Sequence, residues 1–128
     1  MRTASCSCGQ LKVSCDGEPI RVSMCHCLAC QRRTGSAFSL QARWPADRVT
    51  IEGTAHEYKL VGDEGSTATF RFCPTCSATV YFDNDQLPGM IAVPVGAFAD
   101  PTFPPPQVSV YGVRRHPWLA TLAIEELD

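Results

Sequence analysis

The sequence predicts a mostly-β fold with little helix, in which antiparallel strands are tethered to one another through cysteines. Three observations carry this. Apolar and polar residues alternate with a period of two in several short runs. Helical periodicity is confined to one brief stretch. Seven of the eight cysteines fall into closely spaced groups, Cys6/Cys8, Cys25/Cys27/Cys30 and Cys73/Cys76, far apart along the chain. At 128 residues the chain suits one domain spanning 1–128, long enough to bury a core of its own.

In chain order, Cys6 and Cys8 lie two apart, so in an extended N-terminal strand both side chains leave the same face, and Gly9 permits a sharp exit. Leu11, Val13 and Cys15 then share one face of a short strand. Leu28 to Thr34 is the one helical turn, stopped by Gly35. Phe38, Leu40 and Ala42 share a strand face, and Val49–Ile51 and Ala55–Val61 are further strands punctuated by Gly53 and Gly62.

The clearest hairpin follows. Ala68, Phe70 and Phe72 alternate with Thr67, Thr69 and Arg71; across a turn, Ala78, Val80 and Phe82 alternate with Thr79 and Tyr81. Cys73-Pro74-Thr75-Cys76 is that turn. Met90–Val95 is the next strand, Pro101 through Pro104-Pro105-Pro106 a stiff surface connection, and Val108–Tyr111 a last strand.

Composition excludes several functions. Hydrophobic residues make up 45% and charged residues 19%, with a net charge of -2 and a pI near 5.9. Such a chain lacks the basic field that draws proteins to nucleic acid or anionic membranes. No apolar run approaches the roughly 20 residues of a spanning helix, and no secretory h-region follows Met1. The expected location is the cytoplasm, where thiols stay reduced and grouped cysteines point to metal or catalysis rather than disulfides.

A Cys-x-x-Cys in a hairpin turn is a zinc knuckle, its sulfurs converging while backbone N–H groups point at them. With Cys6 and Cys8 it makes a four-cysteine structural site of Cys6, Cys8, Cys73 and Cys76. By analogy with zinc-finger peptides, such a site binds with about 10–16 kcal/mol. Cys15, alone and in register with Leu11 and Val13, packs as a core residue. Cys25, Cys27 and Cys30 converge from one segment and favour a second metal. His26 points away if the segment is extended and reads as a hydrogen-bonded support, His56 as an exposed strand residue, and His116 as a turn residue before Pro117. Each is a candidate fourth ligand, but a vacancy is the preferred reading.

Zinc in structural sites is four-coordinate, whereas catalytic zinc keeps one position for water or substrate. Three thiolates leave zinc with a net charge of about -1, a weak Lewis acid better suited to holding a thiol as thiolate than to splitting water. Arg32 and Arg33 follow closely. They are candidates to ease that charge or to meet ligand carboxylates.

These residues form a pattern. Cys6-Ser7-Cys8-Gly9, Cys25-His26-Cys27 with Cys30, Arg32 and Gly35-Ser36-Ala37-Phe38, Phe72-Cys73-Pro74-Thr75-Cys76 and the late Trp118 together resemble the glutathione-dependent formaldehyde-activating enzyme and centromere protein V family. The resemblance implies zinc-tethered sheets in a β-tent, similar to the zinc-bearing Rab-GTPase chaperones. It also implies that Cys6, Cys8, Cys73 and Cys76 hold a structural zinc and Cys25, Cys27 and Cys30 a catalytic one. Two departures stand out: Ser77 replaces a glycine common after the knuckle, and a histidine frequent near the C-terminus is replaced within Val108–Tyr111.

The activity expected is that of a carbon–sulfur lyase, adding glutathione or another small thiol to formaldehyde or a related aldehyde. The alternative is a non-catalytic zinc scaffold for a protein partner. A redox-sensing role for the three-cysteine segment is compatible with the first, as is a homodimer.

Overall fold

The computed structural model describes residues 1–119 and 125–127. Its strands, in chain order, are β1 (Arg2–Ser5), β2 (Lys12–Cys15), β3 (Arg21–Cys25), β4 (Ser39–Pro45), β5 (Val49–Glu52), β6 (His56–Val61), β7 (Thr67–Phe72), β8 (Thr79–Asn84), β9 (Met90–Pro94), β10 (Val108–Val110) and β11 (Glu125–Leu127). The α-helix among the described residues, α1, spans Leu28–Thr34. It ends at Gly35, whose N–H reaches the carbonyl of Gln31 at 2.8 Å.

Two sheets result. The smaller has the antiparallel order β1-β2-β5; the larger runs β11-β10-β3-β4-β9-β8-β7-β6. Its ladders are antiparallel except that β10 runs parallel to both β3 and β11. The fold is therefore mostly β, as expected, with β1, β3 and β11 added to the strands read from sequence. The strand expected last, Val108–Tyr111, is followed by another among the described residues.

Alternation on β3 and β4 divides the larger sheet into two unlike faces. Val22 on β3, Ala42 and Trp44 on β4 and Val93 on β9 turn inward and are essentially buried. Against them pack Ala4, Leu11, Val13 and Cys15 from the smaller sheet, all fully buried. Cys15 is the core residue its register predicts, and burial pushes its thiol up to about 11. The opposite face carries Arg21, Ser23 and Cys25, paired across the ladder with Arg43, Gln41 and Ser39.

The β7–β8 hairpin departs from simple alternation. A register shift between Arg71 and Phe72 breaks the ladder, and a bulge re-aims the side chains beyond it. Val80 and Phe82 are expected on one face. In the fold Val80 is fully buried in the core, while Phe82 lines the cleft on the far side.

After the proline run, Gln107 locks the chain back onto the sheet. Its N–H donates to the carbonyl of Val22, and its side-chain oxygen accepts from the Val22 N–H, both at 2.9 Å. Trp44 anchors the core: it is fully buried, donates Nε1–H to the Gly17 carbonyl at 3.1 Å and sits 5.7 Å from the Phe98 ring. Trp44→Ala should cost about 3–5 kcal/mol in denaturant unfolding of the metal-saturated protein, with Trp44→Phe losing distinctly less.

Candidate metal centres and the cleft beside them

The first centre joins the two sheets. Cys6 and Cys8 sit in a turn just past β1 rather than on one face of an extended strand, because the Gly9 N–H bonds back to the Cys6 carbonyl at 3.1 Å and Gly9 adopts φ +86°. Cys73 and Cys76 come from the β7–β8 turn, closed by Cys73 N–H to the Ala78 carbonyl at 3.0 Å and Ser77 N–H to the Cys73 carbonyl at 2.8 Å. All four sulfurs lie within 4.8 Å of one another. Cys6–Cys8 and Cys8–Cys73 are each 3.6 Å apart, close to the roughly 3.8 Å edge of a tetrahedron with zinc–sulfur bonds of about 2.3 Å. The donor set therefore fits a closed four-thiolate ion.

Hydrogen bonds to sulfur support it. Leu11 N–H donates to Cys6 Sγ at 3.3 Å, Thr75 N–H to Cys73 Sγ at 3.4 Å and Gln10 Nε2 to Cys73 Sγ at 3.0 Å. Desolvation opposes the Cys73 thiolate, but the Gln10 amide and the Cys76 and Thr75 N–H groups outweigh it and bring the thiol down to about 6. Gln10 is itself clamped by Thr54: its amide donates to the Thr54 carbonyl at 2.7 Å and accepts from the Thr54 N–H at 2.9 Å. Gly53 makes this clamp possible. At φ +103°, a Cβ there would lie 2.0 Å from the Gln10 carbonyl oxygen.

The second centre is local. Cys25 ends β3, Cys27 caps α1, and Cys30 sits in its first turn with its N–H on Cys27 Sγ at 3.2 Å. The sulfurs of Cys27 and Cys30 are 2.9 Å apart and those of Cys30 and Cys25 3.3 Å. Cys30 ionises first: the Cys25 and Cys27 thiols donate to it, with help from Ser39 and the Arg33 charge, and hold it well below the usual thiol range. Cys25 is pushed far up by donating to Cys27 and Cys30 and by burial. No fourth cysteine, histidine or carboxylate joins this set among the described residues. Its three soft donors suit a thiophilic metal.

The family profile described as glutathione-dependent formaldehyde-activating enzyme matches residues 1–114, a span that contains both cysteine clusters. The chain belongs to the glutathione-dependent formaldehyde-activating enzyme family. A crystal structure of a Rhodobacter sphaeroides protein is similar to it, with a TM-score of 0.58 and 20% identity over 74% of this chain and 85% of that one. At that identity the likeness is one of fold.

Within this family member the structure separates the remaining candidates. His26 is fully buried beside the Phe38 ring and outside the sulfur cluster. Expected as a hydrogen-bonded support, it instead has no hydrogen-bond partner for either ring nitrogen among the described residues; its backbone N–H bonds the Val110 carbonyl. His116 pairs through Nε2 with Gln31 Oε1 at 2.8 Å, tying the segment after β10 to α1, and His56 is exposed on β6. Arg33 lies over Phe70 at 4.6 Å and Phe82 at 5.3 Å, whereas Arg32 is exposed.

Sequence reasoning missed Gln10, although its place directly after Cys-x-Cys-Gly was a usable signal. It also missed a cleft of about 260 Å³ beside the second centre, lined by Cys25, Arg21, Arg43, Gln41, Phe82 and Tyr111 among others. A larger depression of about 520 Å³ near Lys59 and Asp85 contains no cysteine. Tyr111 holds φ +56°, a left-handed conformation costly for a side-chain-bearing residue, and lines the cleft with Cys25.

Ser77, at the position where the sequence pattern leads one to expect glycine, adopts a left-handed turn at φ +67°. Ser77→Gly should therefore stabilise the metal-saturated protein by about 0.5–1 kcal/mol, read as a higher denaturation midpoint.

Metal retention should also depend on pH, because ligands must lose protons to bind. Each set contains a raised thiol, Cys8 at about 11 in one and Cys25 in the other, so the difference lies in ligand number: three protein thiolates hold a metal less firmly than four, and falling pH should empty the three-cysteine set first. A chromogenic chelator should record two release steps on acidification, with the earlier one missing in Cys25→Ser.

Proposed function

We propose that the protein binds zinc at both clusters and that the Cys25, Cys27 and Cys30 cluster serves the addition of glutathione to formaldehyde. The product is S-hydroxymethylglutathione, and the reverse reaction is that of a carbon–sulfur lyase. The observation that carries this reading is a three-sulfur cluster, with no fourth protein ligand among the described residues, bordering a cleft. Family membership supports the substrate pair, which the family description names. Zinc held there would supply a coordinated thiol in its ionised, nucleophilic form at neutral pH.

The reaction forms one carbon–sulfur bond. The thiolate sulfur attacks the carbonyl carbon, the carbonyl π pair moves to oxygen, and that oxygen takes a proton. Tyr111 is the side chain we place at the oxygen. Burial, together with the negative charge of Glu64, Cys25 and Cys27, pushes its phenol up, so it stays protonated at neutral pH and can donate. Arg33 offsets negative charge at Cys30, and exposed Arg32 can meet a ligand carboxylate from solvent. We assign residues 1–128 to one zinc domain working in the cytoplasm, where its thiols stay reduced.

Exchange spectroscopy by nuclear magnetic resonance between formaldehyde and its glutathione adduct tests the reading. Zinc-loaded protein should accelerate exchange above the spontaneous rate, and Cys27→Ala should return it to background while the four-cysteine zinc remains bound. Equal exchange with and without wild-type protein would exclude the activity.

A further inference from the structure

We propose that Arg21 and Arg43 form an oxyanion-binding subsite for the carboxylate end of the thiol ligand, at the far end of the cleft from Cys25. The two arginines are direct partners across the β3–β4 ladder. Like charges directly opposite on a sheet destabilise it, so the pairing does not serve the fold. Both Nε atoms are buried without a hydrogen-bond partner, and neither guanidinium joins an ion pair among the described residues. The acidic residue lining the cleft, Asp83, gives its carboxylate to Arg71 at 3.2 Å. Two planar forks of unspent donors side by side match a carboxylate or phosphate.

Their position relative to the cysteines defines the ligand. Arg21, Ser23 and Cys25 occupy alternate positions of β3 and so share a face, with Arg43, Gln41 and Ser39 opposite them. A polar row thus leads from the guanidinium pair to the Cys25 sulfur, about 13 Å of strand from Cα to Cα, before the arginine side chains shorten the gap. The cleft of about 260 Å³ lies just below the usual range of ligand sites, about 300 to 1,000 Å³. This suits a small peptide thiol with a carboxylate several bonds from sulfur. The Phe82 and Ala92 side of the cleft supplies an apolar wall between the two ends. The sulfur end of this assignment rests on the thiol reading above; the arginine grip does not.

Calorimetry on zinc-loaded wild type, Arg21→Gln and Arg43→Gln separates the two. The probes are glutathione, its diethyl ester, which keeps the thiol but masks both carboxylates, and S-methylglutathione, which keeps the carboxylates but offers no free thiol; inorganic phosphate serves as a competitor. S-methylglutathione should bind wild type and lose at least tenfold in affinity in each variant, while the ester binds equally weakly to all three proteins. Phosphate displacing S-methylglutathione would mark a general oxyanion site, and failure to displace it one selective for carboxylate. Each variant should keep its full metal content and unfold at the same temperature as wild type or higher, since it relieves a repulsion. Undiminished S-methylglutathione binding in both variants, or an ester that binds as tightly as glutathione, would overturn the subsite. Glutathione binding no tighter than S-methylglutathione would instead overturn the thiol reading and leave the arginine grip standing.

Discussion

Four cysteine sulfurs from two segments some 65 positions apart in the chain meet at the junction of two sheets, and everything else in the structure depends on how that corner is satisfied. Several thiolates in contact repel one another and cannot all ionise in a buried place without a cation. A metal bound there would convert the repulsion into a cross-link between β1 and the β7–β8 turn. The protein prepares for it with donors aimed at sulfur, from the Leu11 and Thr75 N–H groups and the Gln10 amide. Gln10 reaches Cys73 because Thr54 grips both ends of its amide, and Thr54 can do so because Gly53 lets the two backbones touch. The clamp is thus a chain of constraints running from one glycine to one sulfur.

With the sheets held together, β3 and β4 can serve two purposes at once. Their inward side chains, Val22, Ala42 and Trp44, complete the core with Leu11, Val13 and Cys15. Their outward ones run from a guanidinium pair to the second sulfur cluster. A one-residue slip would exchange these faces, so the packing that stabilises the domain also sets Arg21 against Arg43 on the face that carries Cys25. The second cluster is built differently from the first. Its sulfurs come from a strand end and the first turn of a helix, within six residues, and need no distant segment to converge.

Costly arrangements gather around these centres. Ser77 and Tyr111 occupy left-handed backbone without being glycine, Arg21 faces Arg43, and buried His26 lacks a ring partner among the described residues. Strain and unsatisfied polar groups of this kind persist where the surrounding structure over-determines them, and they concentrate at functional sites.

Alternation along Leu11–Cys15 and Thr67–Phe72, the Cys-x-x-Cys turn and the Gly35 stop were legible in the sequence because each is local: period, turn and cap act within a few residues. The two pairs and the triplet were legible for the same reason, since the sulfurs within each converge through their own spacing; the joining of Cys6 and Cys8 to Cys73 and Cys76 followed from counting ligands, and the fold carries it out. What lay beyond the sequence was set by pairing between distant segments. The bulge that sends Val80 and Phe82 to different surroundings arises from the mismatch of two strands, not from either alone. Arg21 and Arg43, 22 positions apart along the chain, read singly as ordinary surface charges. Only the β3–β4 register sets one against the other in a cleft that ends at Cys25, because a ladder brings together residues whose separation in sequence carries no trace of the contact.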